Sequence, residues 1–437
     1  MPFIVIGLGI AALLILIIRF KVPAFISLVI VAIGVGLAQG MEAVEVLKSL
    51  QNGTGGTLGY LALVLGFGAM LGGILAETGA AQRITQQLVA AFSTSKIQWA
   101  MVLTGFIVGI PMFYSVGFVM LIPLVFAIAK TSKLPILYLA IPMVAALSVT
   151  HGFLPPHPAP TTLAVIYEAD MSITFLYGLI LAVPTIVIAG PLFGSTLKNI
   201  KVNLPKNLFK LKEVDAQTPS FSSSLMTALV PVILMALSAI LKLNLPENHD
   251  ILPVVSFIGE PVMALLIALL VSMYTLGVRQ GKSMGEISDI CLQSVKGIAM
   301  ILLIIGAGGG FKQILIDSGT SDTIINSLQG TEMSPIVLAW LIAAALRISL
   351  GSATVAALTA AGIASPLIAS TNVSPELLVL ATGAGSLTFS QVNDTGFWMF
   401  KEYFNLTIWQ TFRTWTVMET IVSLIGLGGC LLLEIVV

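Results

Sequence analysis

Charge is the scarcest property of this sequence. Lysine, arginine, aspartate and glutamate make up 9% of its 437 residues, 20 basic against 20 acidic. Soluble domains carry about 25%, so this chain has too little charge to cover a water-facing surface and belongs in a membrane. The zero net charge removes any electrostatic case for nucleic acid. Cysteine is nearly missing: Cys291 and Cys430 stand far apart, without metal or redox spacing, and read as inert thiols. Histidine occurs three times and never in an HExxH pattern, so nothing points to a zinc hydrolase, a metal or a cofactor.

Long apolar runs fill the space that charge leaves. Residues 3–18, 22–38, 225–241, 261–278, 298–310 and 415–433 carry few or no charges. About 20 apolar residues span a bilayer, and a helix satisfies its own backbone there, so the fold class is an all-α integral membrane protein. The N-terminal "MPFIVIGLGIAALLILIIRFK" has its charges after the apolar run and no cleavage site, so it reads as a retained first span.

The basic residues gather at Arg19/Lys21, Arg83/Lys96, Lys130/Lys133, 198–212, Arg279/Lys282/Lys296 and Lys401/Arg413. Only Lys48, Lys242, Lys312 and Arg347 fall outside these clusters, while the short loops 161–171, 244–260 and 317–334 carry acids alone. The positive-inside rule then puts the clusters in the cytoplasm and both termini outside. One consequence is awkward. Residues 97–129 lie between two inside clusters and are almost wholly apolar, so they must enter and turn back, with "GIPMFYSVGF" at the break. Residues 335–370, with "LRISLGSATVAAL", pose the same problem from the outside.

Internal duplication explains the coincidence. "GFGAMLGGILAETGAAQRI" (66–84) aligns with "GAGGGFKQILIDSGTSDTI" (306–324), with Gly66, Gly68, Ile74, Leu75, Gly79 and Ile84 recurring 240 residues later. Continuing at nearly that offset, "THGFLPPHPAP" falls on "TFSQVNDTGFW". The expected organisation is repeat 1 over 1–197, with a re-entrant hairpin at 97–129 and a broken helix at 134–165. A cytoplasmic linker at 198–224 leads to repeat 2 over 225–437, with a hairpin at 335–370 and a broken helix at 375–400. Five spans plus a hairpin per half is an odd number, so the halves have inverted topology, the layout of secondary transporters with broken helices at mid-membrane.

The hairpin tips and broken helices supply the candidate site. Hairpin 1 offers Tyr114, Ser115 and Gly117, and hairpin 2 offers Gly351, Ser352 and Thr354. The breaks offer Thr150, His151 and His157, then Ser390, Gln391, Asn393, Asp394 and Thr395. Hydroxyls, amides and helix N-termini suit a carboxylate with hydroxyls along its body; the alternative is that small residues let helices pack closely. Ionisable groups in a bilayer default to function. Arg347 can grip a substrate carboxylate with its fork or pair with Asp394. Asp394 and His157 are the expected proton-coupling groups, although either histidine could instead hydrogen-bond freed carbonyls. Glu77 and Asp317 read as helix-end residues, and Glu168, Asp170 and Glu260 as solvated.

These stretches, together with "VLTGFIVGIPMFYSVGFVMLIPLVF", "AALSVTHGFLPPHPAPT" and "LRISLGSATVAALTAAGIASPLI", resemble the gluconate:proton symporter (gluconate permease) family of the ion transporter superfamily nearly end to end. The resemblance implies import of gluconate or a related sugar acid with a proton, by elevator-type alternating access in a homodimer surrounded by lipid. Many family members carry an acid in the hairpin where this chain has Ser115, which leaves proton or sodium as the coupling ion open. A D-serine branch has histidine at the position of Arg347, which favours a polyhydroxy acid over an amino acid; another small carboxylate, glycerate or D-serine, is the alternative substrate. The competing classes are an intramembrane hydrolase built on His151, His157 and Asp394, and a passive channel. An enzyme is not expected.

Overall fold

The computed structural model describes residues 2–93, 96–200, 202, 218–246, 248–319, 334–365, 373–392 and 394–437, and all regular structure among them is helical. The first half holds α1 (Pro2–Leu14), α2 (Ala24–Ala38), α3 (Ala43–Glu77), α4 (Ala80–Ala91) and α5 (Ile97–Gly109). It continues with α6 (Tyr114–Ser132), α7 (Ile136–Phe153), α8 (Pro158–Ile166) and α9 (Met171–Val187). The second half holds α10 (Phe221–Asn244), α11 (Leu252–Gly259), α12 (Pro261–Ser272), α13 (Met284–Asp317) and α14 (Pro335–Leu350). The last helices are α15 (Ala353–Ala364), α16 (Pro375–Gly385), α17 (Thr395–Tyr403) and α18 (Val417–Glu434), the last led in by Ile408–Thr416. Among the described residues, eight helical stretches are long and apolar enough to cross a bilayer. One of them is α6; α5, α14 and α15 are shorter apolar helices. Most of the 198–224 stretch and the tail of 335–370 lie outside the described residues, as does Asn393.

Two long helices, α3 and α13, run side by side in opposite directions along a seam of small residues. Gly53 faces Gly309, Leu50 faces Gly310, and the Thr54 hydroxyl donates to the Gly306 carbonyl at 3.0 Å. A Cβ on Gly309 would sit 2.6 Å from the Gly53 carbonyl oxygen, so the backbones meet only because no side chain stands between them. At one end Ser49 donates to Asp317 at 2.5 Å. Asp317 is therefore a bonded helix-end residue.

α7 is the central helix, packed by α5, α6, α9, α16 and α18 and buried over almost its whole length. It tolerates an internal proline, Pro142, because the carbonyl which that residue cannot serve, Tyr138 O, accepts from Gln98 Nε2 of α5 at 3.0 Å. The helix stops at Phe153; Leu154–His157 break the span, with a cis bond between Pro155 and Pro156, and α8 restarts at Pro158. Lys312 of α13 donates to Ile166 O at the C-terminal end of α8 at 2.7 Å, so this intramembrane cation satisfies a helix end.

Two acids read from sequence as solvated are built into the fold. Asp170 caps α9 through the N–H groups of Ser172 and Ile173 and pairs with Lys242 at 3.0 Å. Glu260 caps α12 and accepts from the Tyr60 hydroxyl at 2.6 Å. Helix starts need acceptors for their unpaired N–H groups, and residues 170 and 260 stand directly before α9 and α12. Glu168 is exposed, as read.

Candidate functional site

A cavity of about 900 Å³ lies between the α3/α13 pair and the helices grouped around α7. Its wall on the α7 side is made from helix beginnings. The first turns of α6 (Tyr114, Ser115, Val116), α15 (Ala353, Thr354, Val355) and α17 (Thr395, Gly396) all line it, as does Pro158 at the start of α8. The breaks before α6 and α8 hold prolines, Pro111 and Pro155–Pro156. Gly351 ends α14 with φ +77°, a left-handed conformation that costs an L side chain about 1–2 kcal/mol, and Ser352 then caps α15 through Val355 N. Asp394 caps α17, accepting from Gly396 N at 3.1 Å. Unpaired N–H groups and the positive ends of helix dipoles therefore surround one volume, which favours an anion.

Arg347 supplies the site's formal positive charge. It is 3% exposed, and its Nη2 donates to Asp394 Oδ2 at 2.5 Å. Its Nε and Nη1 are buried with no hydrogen-bond partner among the described residues. Four of the five N–H donors of the guanidinium are thus unmatched among the described residues: one on Nε, two on Nη1 and the second on Nη2. Asp394 is fully engaged: Ser390 Oγ also donates to its Oδ2, and Trp415 Nε1 donates in turn to Ser390 Oγ at 2.6 Å. Thr416 Oγ1 donates to the Ser390 carbonyl at 2.5 Å, so Ser390 is held from the segment that leads into α18. The Trp415 ring lies 5.8 Å from Tyr114 and 5.5 Å from Phe400.

The two histidines part company. His151 lines the cavity, 6.2 Å from the Tyr114 ring, and its Nδ1 is buried without a partner among the described residues. His157 stands behind it at 5.4 Å, does not line the cavity, and donates from Nε2 to Gly109 O at 2.7 Å. That bond ties the break after α7 to the end of α5.

Of the residues expected from sequence, Tyr114, Ser115, His151, Arg347, Ser352, Thr354, Asp394 and Thr395 line the cavity. Ser390, Gly351 and His157 support it from behind. Gly117 packs under Leu147, and Thr150 bonds back to Leu147 O at 2.9 Å against Gly109. Sequence reasoning missed Ser148, Trp415 and Glu419. Glu419 of α18 is 2% exposed; its Oε1 accepts from Ser148 Oγ at 2.5 Å, and its Oε2 has no partner among the described residues. Toward the surface the cavity passes Gln293 and the exposed acids Glu77 and Asp289. No metal-binding cluster occurs among the described residues.

Comparison with known proteins finds likeness along the whole chain. Residues 1–436 match the GntP family permease. The chain is 56% identical to the high-affinity gluconate transporter of Escherichia coli K12 and 52% identical to its Gnt-II system L-idonate transporter, covering all of both sequences in each case. It is 50% identical to the gluconate permease of Bacillus subtilis 168, again over all of each chain. Among solved structures, the YdaH transporter of Alcanivorax borkumensis superposes with a TM-score of 0.67 at 18% identity, covering 94% of this chain and 97% of that one. MtrF of Neisseria gonorrhoeae superposes with 0.65 at 15% identity, over 94% and 93%.

Proposed function

Because the chain belongs to the GntP family of permeases, which are transporters and not enzymes, we propose that it imports gluconate or a closely related sugar acid by proton symport. The observation that carries the reading is the set of unmatched polar atoms on the cavity wall. Arg347 Nε and Nη1, Tyr114 Oη, His151 Nδ1 and Glu419 Oε2 are all buried without partners among the described residues, and all belong to residues that line one volume. Burying such a group unpaired costs about 1–3 kcal/mol, so convergence of five atoms marks a place built for a polar ligand. Arg347 and the helix starts take the carboxylate. Tyr114, Ser115, His151, Ser352, Thr354 and Thr395 meet the hydroxyls. Relatives named as gluconate transporters at 50–56% identity support the substrate class. The L-idonate transporter at 52% keeps a second sugar acid in view.

The transport cycle we propose is an elevator motion in a homodimer, with two inverted repeats over 1–197 and 225–437. Supporting the repeat, α3 and α13 end 240 residues apart, at Glu77 and Asp317, and pack antiparallel. Residues 97–129 and 335–370 act as re-entrant hairpins, and the breaks at Leu154–His157 and between α16 and α17 meet at mid-membrane. With the basic clusters in the cytoplasm of a bacterial inner membrane and both termini outside, the mouth at Glu77 and Asp289 opens inward.

Uptake of labelled gluconate into proteoliposomes, with and without an inward proton gradient, tests the proposal. Absence of uptake under both conditions overturns the substrate, and accumulation driven by sodium alone overturns the coupling ion. Competition by idonate, glycerate and D-serine ranks the substrates; preference for D-serine overturns the sugar-acid reading.

A further inference from the structure

Resting on the symport reading above, we propose that Glu419 carries the proton that enters with the sugar acid, in place of Asp394 and His157. The argument is one of partners. Asp394 accepts from Arg347, Ser390 and Gly396 N, so its carboxylate is matched as an ion and protonation would break the turn that starts α17. His157 uses Nε2–H to hold Gly109 O and stands off the cavity wall. Glu419 is different. It is 2% exposed on a wall of the cavity, has a single hydroxyl as donor to Oε1, and presents Oε2 without a partner among the described residues.

A carboxylate buried to that degree without an ion-pair partner or several donors is costly, whereas the neutral acid fits this position. Ser148 serves Oε1, and the proton sits on Oε2, the oxygen without a partner among the described residues, on a residue that lines the cavity. The titratable and charged groups facing it are Tyr114 of α6, His151 of α7, Arg347 of α14 and Asp394 before α17; α9 and α16 bring none among the described residues. Asp394 already offsets Arg347, so an incoming carboxylate would meet an ionised Glu419 as a second, uncompensated negative charge. Protonation from water on the outer side, Glu419–COO⁻ plus H⁺ to Glu419–COOH, removes that repulsion. Release of the same proton to water on the inner side restores it and expels the anion. Proton binding thus precedes and permits anion binding: the empty site carries −1 with Glu419 ionised and is neutral once it is protonated, so the anion raises the charge to −2 without the proton but only to −1 with it.

The full chain, reconstituted in liposomes, tests this with Glu419→Gln, which keeps the shape of the protonated acid. Three quantities are read: gluconate counterflow across a range of pH, accumulation driven by an inward proton gradient, and gluconate-dependent proton influx by an internal dye. The variant is expected to keep counterflow, now independent of pH, and to lose both accumulation above the outside concentration and proton influx. Accumulation or proton influx that survives in Glu419→Gln overturns the inference, as does weaker affinity with coupling intact. If Glu419→Gln shows no counterflow, Glu419→Asp is read instead. Proton-coupled accumulation in that variant supports the assignment; counterflow without proton influx, or silence in both variants, overturns it. Failure of the symport reading looks different, because wild-type protein itself then accumulates no sugar acid under a proton gradient.

Discussion

Replacing Arg347 with lysine isolates the contribution of its fork to binding the sugar acid. Lysine keeps a cation near Asp394, so the acid is not left buried and unpaired, an outcome that costs about 3–5 kcal/mol when one partner of a buried pair is deleted. What lysine cannot do is present two parallel N–H donors to a carboxylate. Arg347 has Nε and Nη1 available beyond the bond to Asp394. A charge-assisted hydrogen bond contributes about 1.5–3 kcal/mol, and Arg347→Lys forfeits one of them. That loss corresponds to affinity for gluconate weaker by roughly 10-fold to 150-fold. Calorimetric titration of the purified variant measures it, with a thermal melt alongside to show that the fold is intact. An affinity within about threefold of wild type, some 0.6 kcal/mol, together with an unchanged melt, refutes the carboxylate assignment. Arg347→Ala is the poorer probe, since its melt should fall with Asp394 unpaired.

Three further outcomes are expected. Trp415→Phe keeps the ring against Tyr114 and Phe400 but removes the N–H that holds Ser390, so gluconate affinity should fall by about 1 kcal/mol, roughly fivefold; wild-type affinity in a binding titration sinks the supporting role of that chain. Gly351→Ala places a Cβ at φ +77° and should lower the melting midpoint by the equivalent of about 1–2 kcal/mol; no change would mean that the turn relaxes freely. Gly309→Leu drives a side chain into Gly53 and Thr57, and size-exclusion chromatography should show loss of monodisperse protein. A normal profile with a wild-type melt would show that the α3/α13 seam is not close-packed.

The membrane class, the break in "THGFLPPHPAP" and eight polar residues of the cavity wall were legible because they rest on local signals; the α3/α13 side of the cavity was not read as part of the site. Apolar length marks spans, prolines stop helices, and an isolated arginine among apolar residues announces itself. What stayed hidden depends on packing between distant segments. Glu419 sits in "TWTVMETIVSLIGL", an apolar run without proline or glycine breaks near it. Its partner Ser148 is 271 residues away, and only the packing of α7 on α18 joins them. A lone acid inside the last apolar run was nevertheless a signal of the kind that flagged Arg347. Asp170 and Glu260 were misjudged for a related reason: acids in short loops read as solvated until the helix starts beside them are known. The Arg347–Asp394 pairing was one of two options open from sequence; the structure contains the pair, and four N–H donors of the guanidinium are left over.

The α3/α13 seam has a mechanical consequence. The face those helices turn to the cavity is mostly small and aliphatic: Ala69, Gly72, Ala76 and Gly297, with Ile298, Ile301 and Ile304 beyond, Ser294 bonded back to Ile290 O, and Glu77, Asp289 and Gln293 toward the surface. All five unmatched polar atoms stand on the opposite wall. A ligand gripped by that wall would travel with its own hydrogen-bond partners past a mostly small and aliphatic surface. What would hold it back is shape, together with the polar groups toward the mouth, Glu77, Asp289 and Gln293.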